Sequence, residues 1–240
     1  MTELKSKKFN ISGPRDPTLH YMLPAVPRLQ GVRDLIKSGL FFVIHALRQS
    51  GKTTSVKAYA DHLNEEGGCH AMYHSLETIR GVADVSETMD AIVRGFIVSL
   101  KISNVEDLEN IADSVWNELK ETCYYSSFPV LTCLSALCGR LDKELVLFFD
   151  DVDALEGETF IQFFSQLRVG YVERSFSPFP LSIAIVGVRD IKARLIEKSP
   201  DSGISSASGL LNMLAKSLRL QDFTPADIAS LYAQHAKATG

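Results

Sequence analysis

No run of apolar residues in this chain approaches the length of a membrane span. The longest, LFFVIHA from Leu40 and LVLFF from Leu145, fall far short of the ~20 residues a bilayer-crossing helix needs, and the N-terminus carries no apolar signal segment. The chain therefore reads as a soluble, cytoplasmic protein. Cysteine is scarce: Cys69, Cys123, Cys133 and Cys138 show no CxxC spacing, and His70 and His74 sit in an apolar strand-like stretch instead of completing a zinc pattern. Those cysteines read as reduced thiols. Excess positive charge is missing as well. A formal net charge of −4 gives no broad basic field for nucleic acid and leaves one small basic cluster, Lys5, Lys7 and Lys8, in a solvated N-terminus. Only nine prolines interrupt 240 residues that are 45% hydrophobic, which is enough for one substantial core, or one core with a small appendage.

What is present is an alternation of strand and helix signals. The turn-rich opening, with GPRDP and YMLPAVPR, reads as an extended arm over 1–27, followed by a short helix over 29–37 that stops at Gly39. A strand buried on both faces follows over 40–45. From Lys52, apolar Val56, Tyr59, Ala60 and Leu63 recur at helical spacing until Gly67 and Gly68. Further strands are expected over 69–76, 145–149 and 181–188, with a short fifth over 218–220. A long helical region over 86–141 includes helices near 106–120 and 131–141, and another helix covers 159–172. A Ser/Gly-rich loop spans 199–209. Thr224 as N-cap, Pro225 at the first helical position and Asp227 three residues after the cap open a last helix. Strand, glycine-containing turn and helix in series predict a parallel α/β sheet.

The turn after the first strand carries the chemistry. Ala46-Leu47-Arg48-Gln49-Ser50-Gly51-Lys52-Thr53 fits the phosphate-loop pattern with alanine in place of the first glycine. A loop wrapping a phosphate must aim backbone N–H groups inward at a helix N-terminus, and Gly51 leaves room for that approach. Lys52 would reach the β- and γ-phosphates, the Thr53 hydroxyl would hold Mg²⁺, and Thr54 joins Ala46, Arg48, Gln49, Ser50 and Gly51 among the expected nucleotide-binding residues. Average residue usage gives roughly 0.02 chance matches in a chain of this length, so composition alone does not account for the loop. Ala46 requires the tight turn to accommodate a Cβ.

LVLFFDDVDAL, starting at Leu145, puts Asp150 at the C-terminal end of a buried strand, where ligands of open parallel sheets bind and a carboxylate can hold Mg²⁺. Asp151 stands where a glutamate commonly polarises the attacking water. Its carboxylate is one methylene shorter, and general-base geometry is sensitive at about the ångström level. Asp153 is either an alternative base or a turn residue capping the next helix. Arg189, in GVRD, is either a sensor of the γ-phosphate or half of a surface pair with Asp190; Arg174 and Arg194 are weaker candidates to reach a neighbouring subunit's nucleotide.

These motifs, with HYMLPAVPRL from His20 and SLRLQDFTPADI from Ser217, resemble AAA-like ATPases of the P-loop class, near the origin-recognition and signal-transducing branches. The resemblance covers most of the chain. It implies a three-layer fold with sheet order 5-1-4-3-2, and ATP and Mg²⁺ at the C-terminal edge of the sheet. It places Tyr21, Pro24 and Arg28 beside the base or in its supporting shell; the other reading is that Tyr21 and Pro24 tether the arm to the core. It divides the chain into an arm (1–27), a core (28–222) and a helix opening a lid (223–240). The rest of that lid is missing, which fits a chain cut short or a naturally shortened member. The expected function is a weak Mg²⁺-dependent ATPase working as a nucleotide-controlled switch on a protein partner or attached domain. The rivals are a non-hydrolysing scaffold and a DNA-associated loader or transposition helper; a small-molecule kinase lacks an acceptor signature. Adenine over guanine rests on the resemblance.

Overall fold

The computed structural model describes residues 7–9, 18–24, 26–103, 105, 108–121, 127–189, 191 and 212–239. Five strands, β1 (Phe41–His45), β2 (His70–Ser75), β3 (Leu145–Asp150), β4 (Ser182–Gly187) and β5 (Leu214–Arg219), form one parallel sheet in the order β2-β3-β4-β1-β5. Read from the other edge, this is the 5-1-4-3-2 order that the resemblance implies. Alternation along each strand separates two cores. Phe42, Ile44, Val146 and Phe148 face α1 (Val32–Lys37) and α2 (Lys52–Glu66), while Phe41, Val43, Leu147 and Phe149 face α3 (Val85–Lys101), α4 (Leu108–Glu121), α5 (Pro129–Cys138) and α6 (Gly157–Glu173). Helices on both faces of a parallel sheet make the three-layer α/β fold.

Local chemistry sets the helix ends. Asp84 accepts from the Glu87 N–H to open α3, and Glu156 with Thr159 forms a capping box at α6. The start of α5 has no cap of its own. Buried Gln166 of α6 fills that role, its Oε1 accepting from Val130 N at 2.9 Å and Leu131 N at 3.2 Å. Thr224 and Asp227 cap α7 (Pro225–Thr239) reciprocally, as the sequence indicated.

The elements depart from the sequence reading in two places. Residues 26–37 are a 3₁₀ turn, Val26–Leu29, followed by α1, because Gly31 adopts a left-handed conformation between them. The fifth strand is longer than 218–220, since β5 is an edge strand whose exposed Lys216 and Arg219 hide the apolar pattern. The loop over 199–209, Cys123 and Arg194 lie outside the described residues. No helix among the described residues is long and apolar enough to cross a membrane.

Gly170 of α6 is a packing glycine. A Cβ there would stand 2.2 Å from Cζ of buried Phe179. Gly170→Ala is expected to lower stability by about 2 kcal/mol through overpacking, read as a fall in the urea midpoint; an unchanged midpoint would show that Phe179 moves aside freely.

Candidate functional site

The site lies at the C-terminal edge of the sheet, where β1, β3 and β4 end. Ala46 N donates to Gly187 O at 3.2 Å and ties the start of the loop to β4. Ala46 is buried and its backbone is not left-handed, so its Cβ fits without strain. The loop then turns outward through exposed Leu47, Arg48 and Gln49, half-buried Ser50 and Gly51, which is left-handed (φ 78°) and begins α2. Thr54 is half-buried in the first turn of α2.

Asp150 is fully buried, and both oxygens of its carboxylate are engaged. Oδ1 pairs with Lys52 Nζ and accepts from the Asp151 N–H at 2.8 Å. Oδ2 accepts from Thr53 Oγ1 at 2.6 Å and Tyr73 OH at 3.2 Å. A buried carboxylate is tolerated only with such partners. The two motifs, about one hundred residues apart in the chain, therefore meet in one hydrogen-bonded cluster.

Asp151 stands 3.9 Å from Lys52, and its Oδ2 accepts from Ser75 Oγ at 2.8 Å. Ser75 Oγ in turn accepts from Glu77 N, and the Glu77 carboxylate is held by Arg80 at 2.6 and 2.8 Å. Burial first, then the Asp150 charge, pushes the Asp151 carboxyl above its ordinary pKa. Gln49 and Asp151 are the non-glycine residues with positive φ among those described, at 63° and 57°. Both lie at this site. Such backbone typically costs on the order of 1–3 kcal/mol and persists where its surroundings impose it.

Asp153 does not take the capping role read in the sequence. Its Oδ2 accepts from Val188 N at 2.5 Å, pinning the end of β4, and Glu156 with Thr159 caps the next helix instead. Gly187 permits the approach, since a Cβ there would lie 2.9 Å from that oxygen. Arg189 follows directly and is exposed, just past the C-terminal end of β4, the strand between β3 and β1. Arg174 is committed to the opposite edge of the sheet, donating to Gly39 O at 2.6 Å and stacking on Tyr171.

Tyr21 is buried against Phe9 and His235, and its hydroxyl lies 3.2 Å from His235 Nδ1. Pro24 is exposed. Arg28 bonds Ser50 O, Ser55 Oγ and Gln221 O. Tyr73 and Ser75 escaped the sequence reading. Their signal was two polar groups at period two on the last residues of a parallel strand, obscured by the apolar reading of AMYHSL.

The residues fit a nucleotide with a divalent cation. Ser50 Oγ is buried in the loop without a hydrogen-bond partner, Gly51 opens the loop to an anion, and Thr53 with Asp150 supplies hard oxygen donors. Beside Arg28 a cavity of about 440 Å³ is lined by Leu29, Ile44, Leu218, Leu220 and Thr224, and by Ser217, whose buried hydroxyl also lacks a partner. Its lining mixes apolar side chains with polar and charged ones, Arg28, Arg219, Asp222 and Asp227 among them, so it offers both a surface for a ring and hydrogen-bonding groups around it.

Fold and site together define a nucleotide-binding P-loop domain of the AAA type. The chain belongs to the AAA domain family, whose model matches residues 34–195. No curated protein matches it by sequence. Among solved structures it is similar in fold to Cdc6p from Pyrobaculum aerophilum, at 18% identity and TM-score 0.56 over 89% of this chain and 49% of that one. A Walker-type ATPase of Pyrococcus abyssi aligns at 13% identity and TM-score 0.55, over 90% and 58%. A chain of the Drosophila ORC bound to poly(dA/dT) DNA and Cdc6 aligns at 10% identity and TM-score 0.52, over 87% and 30%. The chain thus spans about half the length of the two archaeal structures.

Proposed function

We propose that this is an ATP-binding domain with weak Mg²⁺-dependent ATPase activity, whose nucleotide state controls a protein partner or an attached domain. The observation that carries the reading is the convergence of Lys52 and Thr53 on the Asp150 carboxylate. In this reading the loop amides and Lys52 hold the phosphates, with Arg48, Gln49, Ser50 and Thr54 completing the cradle. Thr53 and Asp150 would hold Mg²⁺, which supplies charge neutralisation for phosphoryl transfer. The cavity beside Arg28 would take the base, with Ser217 as a polar contact. Arg189 would turn toward the terminal phosphate. Residues 28–222 then act as the core, with the arm over 1–27 packed near the nucleotide and the helix over 223–240 as the start of a lid.

Asp151 would orient the water. Its shorter side chain and its bond to Ser75 keep turnover slow. Asp151→Asn is expected to cut single-turnover hydrolysis about 30-fold while ATP affinity stays within about threefold; unchanged turnover would remove Asp151 as the base. Because the Asp151 carboxyl titrates above its ordinary range, hydrolysis should fall as acid protonates it, with a midpoint above that of an unperturbed aspartate. The asparagine variant should lack that limb.

The same Ser75 tie favours a second reading, a scaffold that binds ATP without turning it over. Lys52-dependent binding with no single-turnover hydrolysis would establish it. Direct DNA binding is disfavoured by the net charge of −4; a salt-sensitive mobility shift would restore that reading.

A further inference from the structure

The guanidinium of Arg28 reaches three separate segments of the chain. Nη1 donates to Ser55 Oγ at 3.1 Å, while Nη2 donates to the backbone carbonyls of Ser50 at 3.0 Å and Gln221 at 2.8 Å. It also lies 4.3 Å from the centroid of the Phe223 ring. One side chain thus joins the candidate phosphate loop, the first turns of α2 and the link between β5 and α7.

At the loop, the contact with Ser50 has a directional consequence. A trans peptide carries its C=O and N–H on opposite sides, so a carbonyl held toward Arg28 turns the N–H of Gly51 the other way. An arginine fork can hold two carbonyls and a hydroxyl at once because its donors are fixed in a plane; a lysine ammonium cannot reproduce that geometry.

At the other end, α7 buries none of its residues. Its far turns are held to the arm by Met22 N to Gln234 Oε1 at 3.3 Å, Gln234 Nε2 to Met22 O at 2.9 Å and the contact between Tyr21 and His235. Phe9 packs on Tyr232 and His235. The base of α7 follows Gln221 and Phe223, both of which Arg28 holds. A helix with so little burial opens locally at low cost, and a single well-placed contact shifts its stability.

We propose that Arg28 is a positioning residue that aims the Gly51 amide at the bound phosphate and couples loop occupancy to the order of α7. The coupling rests on the nucleotide reading of the loop. A phosphate accepting from Gly51 N fixes the Ser50–Gly51 peptide, which fixes the carbonyl that Arg28 holds, and the same guanidinium then holds Gln221 and Phe223. By linkage the effect runs both ways, so ordering α7 strengthens nucleotide binding.

The test measures Mg²⁺–ATP affinity by calorimetry and amide hydrogen exchange across α7, with and without nucleotide, in wild type, Arg28→Lys and Phe223→Leu. In wild type, ATP should slow exchange in α7 by about threefold or more. Arg28→Lys should weaken binding about tenfold, equivalent to ~1.4 kcal/mol, and abolish the α7 response. Phe223→Leu, which leaves the loop contacts in place, should bind within about twofold of wild type and show a reduced α7 response. Wild-type affinity in Arg28→Lys, or α7 exchange indifferent to bound ATP, would overturn the coupling. Failure of wild type to bind ATP at all would overturn the nucleotide reading itself, which is a different result.

Discussion

Replacing Lys52 by alanine is expected to weaken Mg²⁺–ATP binding by about 100-fold or more. Lys52 is 7% exposed and its ammonium lies on the Asp150 carboxylate, so it is a desolvated charge at the mouth of a loop whose amides already favour an anion. In such surroundings charge-assisted contacts are at their strongest. The variant should fold, because Asp150 keeps the Asp151 amide and the Thr53 and Tyr73 hydroxyls. A thermal melt of the variant alongside wild type separates a loss of binding from a loss of fold. Affinity within a few-fold of wild type would remove the loop as the phosphate site.

The second large effect concerns acid stability and arises on the other face of the sheet. His74 is buried between Phe96 and Phe149, with ring centroids 5.7 and 6.1 Å away, and its Nδ1 lies 2.9 Å from Ser99 Oγ. Burial pushes its pKa from 6.5 down to about 4. The unfolded chain therefore binds a proton through a range in which the folded chain does not. Stability is complete above pH 6.5 and is lost as the pH falls toward 4, by up to about 3 kcal/mol. Asp151, whose pKa is raised, acts with the opposite sign and offsets part of this. Denaturant midpoints measured from pH 7 to 4 should fall steeply in wild type and less steeply in His74→Asn. Equal slopes would show that His74 is not the group responsible.

Where the chain is apolar and buried, its fold was legible in the sequence. FFVIH and LVLFF carry too many aromatic and β-branched residues to be anything but central strands, and the glycines at 51 and 67 mark both ends of α2. The strand order came from the resemblance and agrees with the sheet. The edges were harder to read. LAKSLR alternates weakly because it pairs along one side, and the arm is placed by aromatic contacts with α7, more than two hundred residues away in the chain. At the site, Lys52, Thr53, Asp150 and Asp151 could be named because loop and strand-end patterns have local signatures. Tyr73, Ser75 and the bonds of Arg28 could not, since each depends on which strand lies beside β3 or which loop passes beneath the arm. Asp153 illustrates the same limit: local sequence allows a base or a cap, and only the neighbouring end of β4 shows it holding the Val188 amide.

Titration of wild type and Lys52→Ala with Mg²⁺–ATP in the same buffer, followed by single-turnover hydrolysis, tests the phosphate site most directly. The expected result is tight binding by wild type, loss of about two orders of magnitude in the variant, and slow but measurable turnover that depends on Asp151. A wild-type protein that does not bind ATP, or a variant that binds equally well, would contradict it.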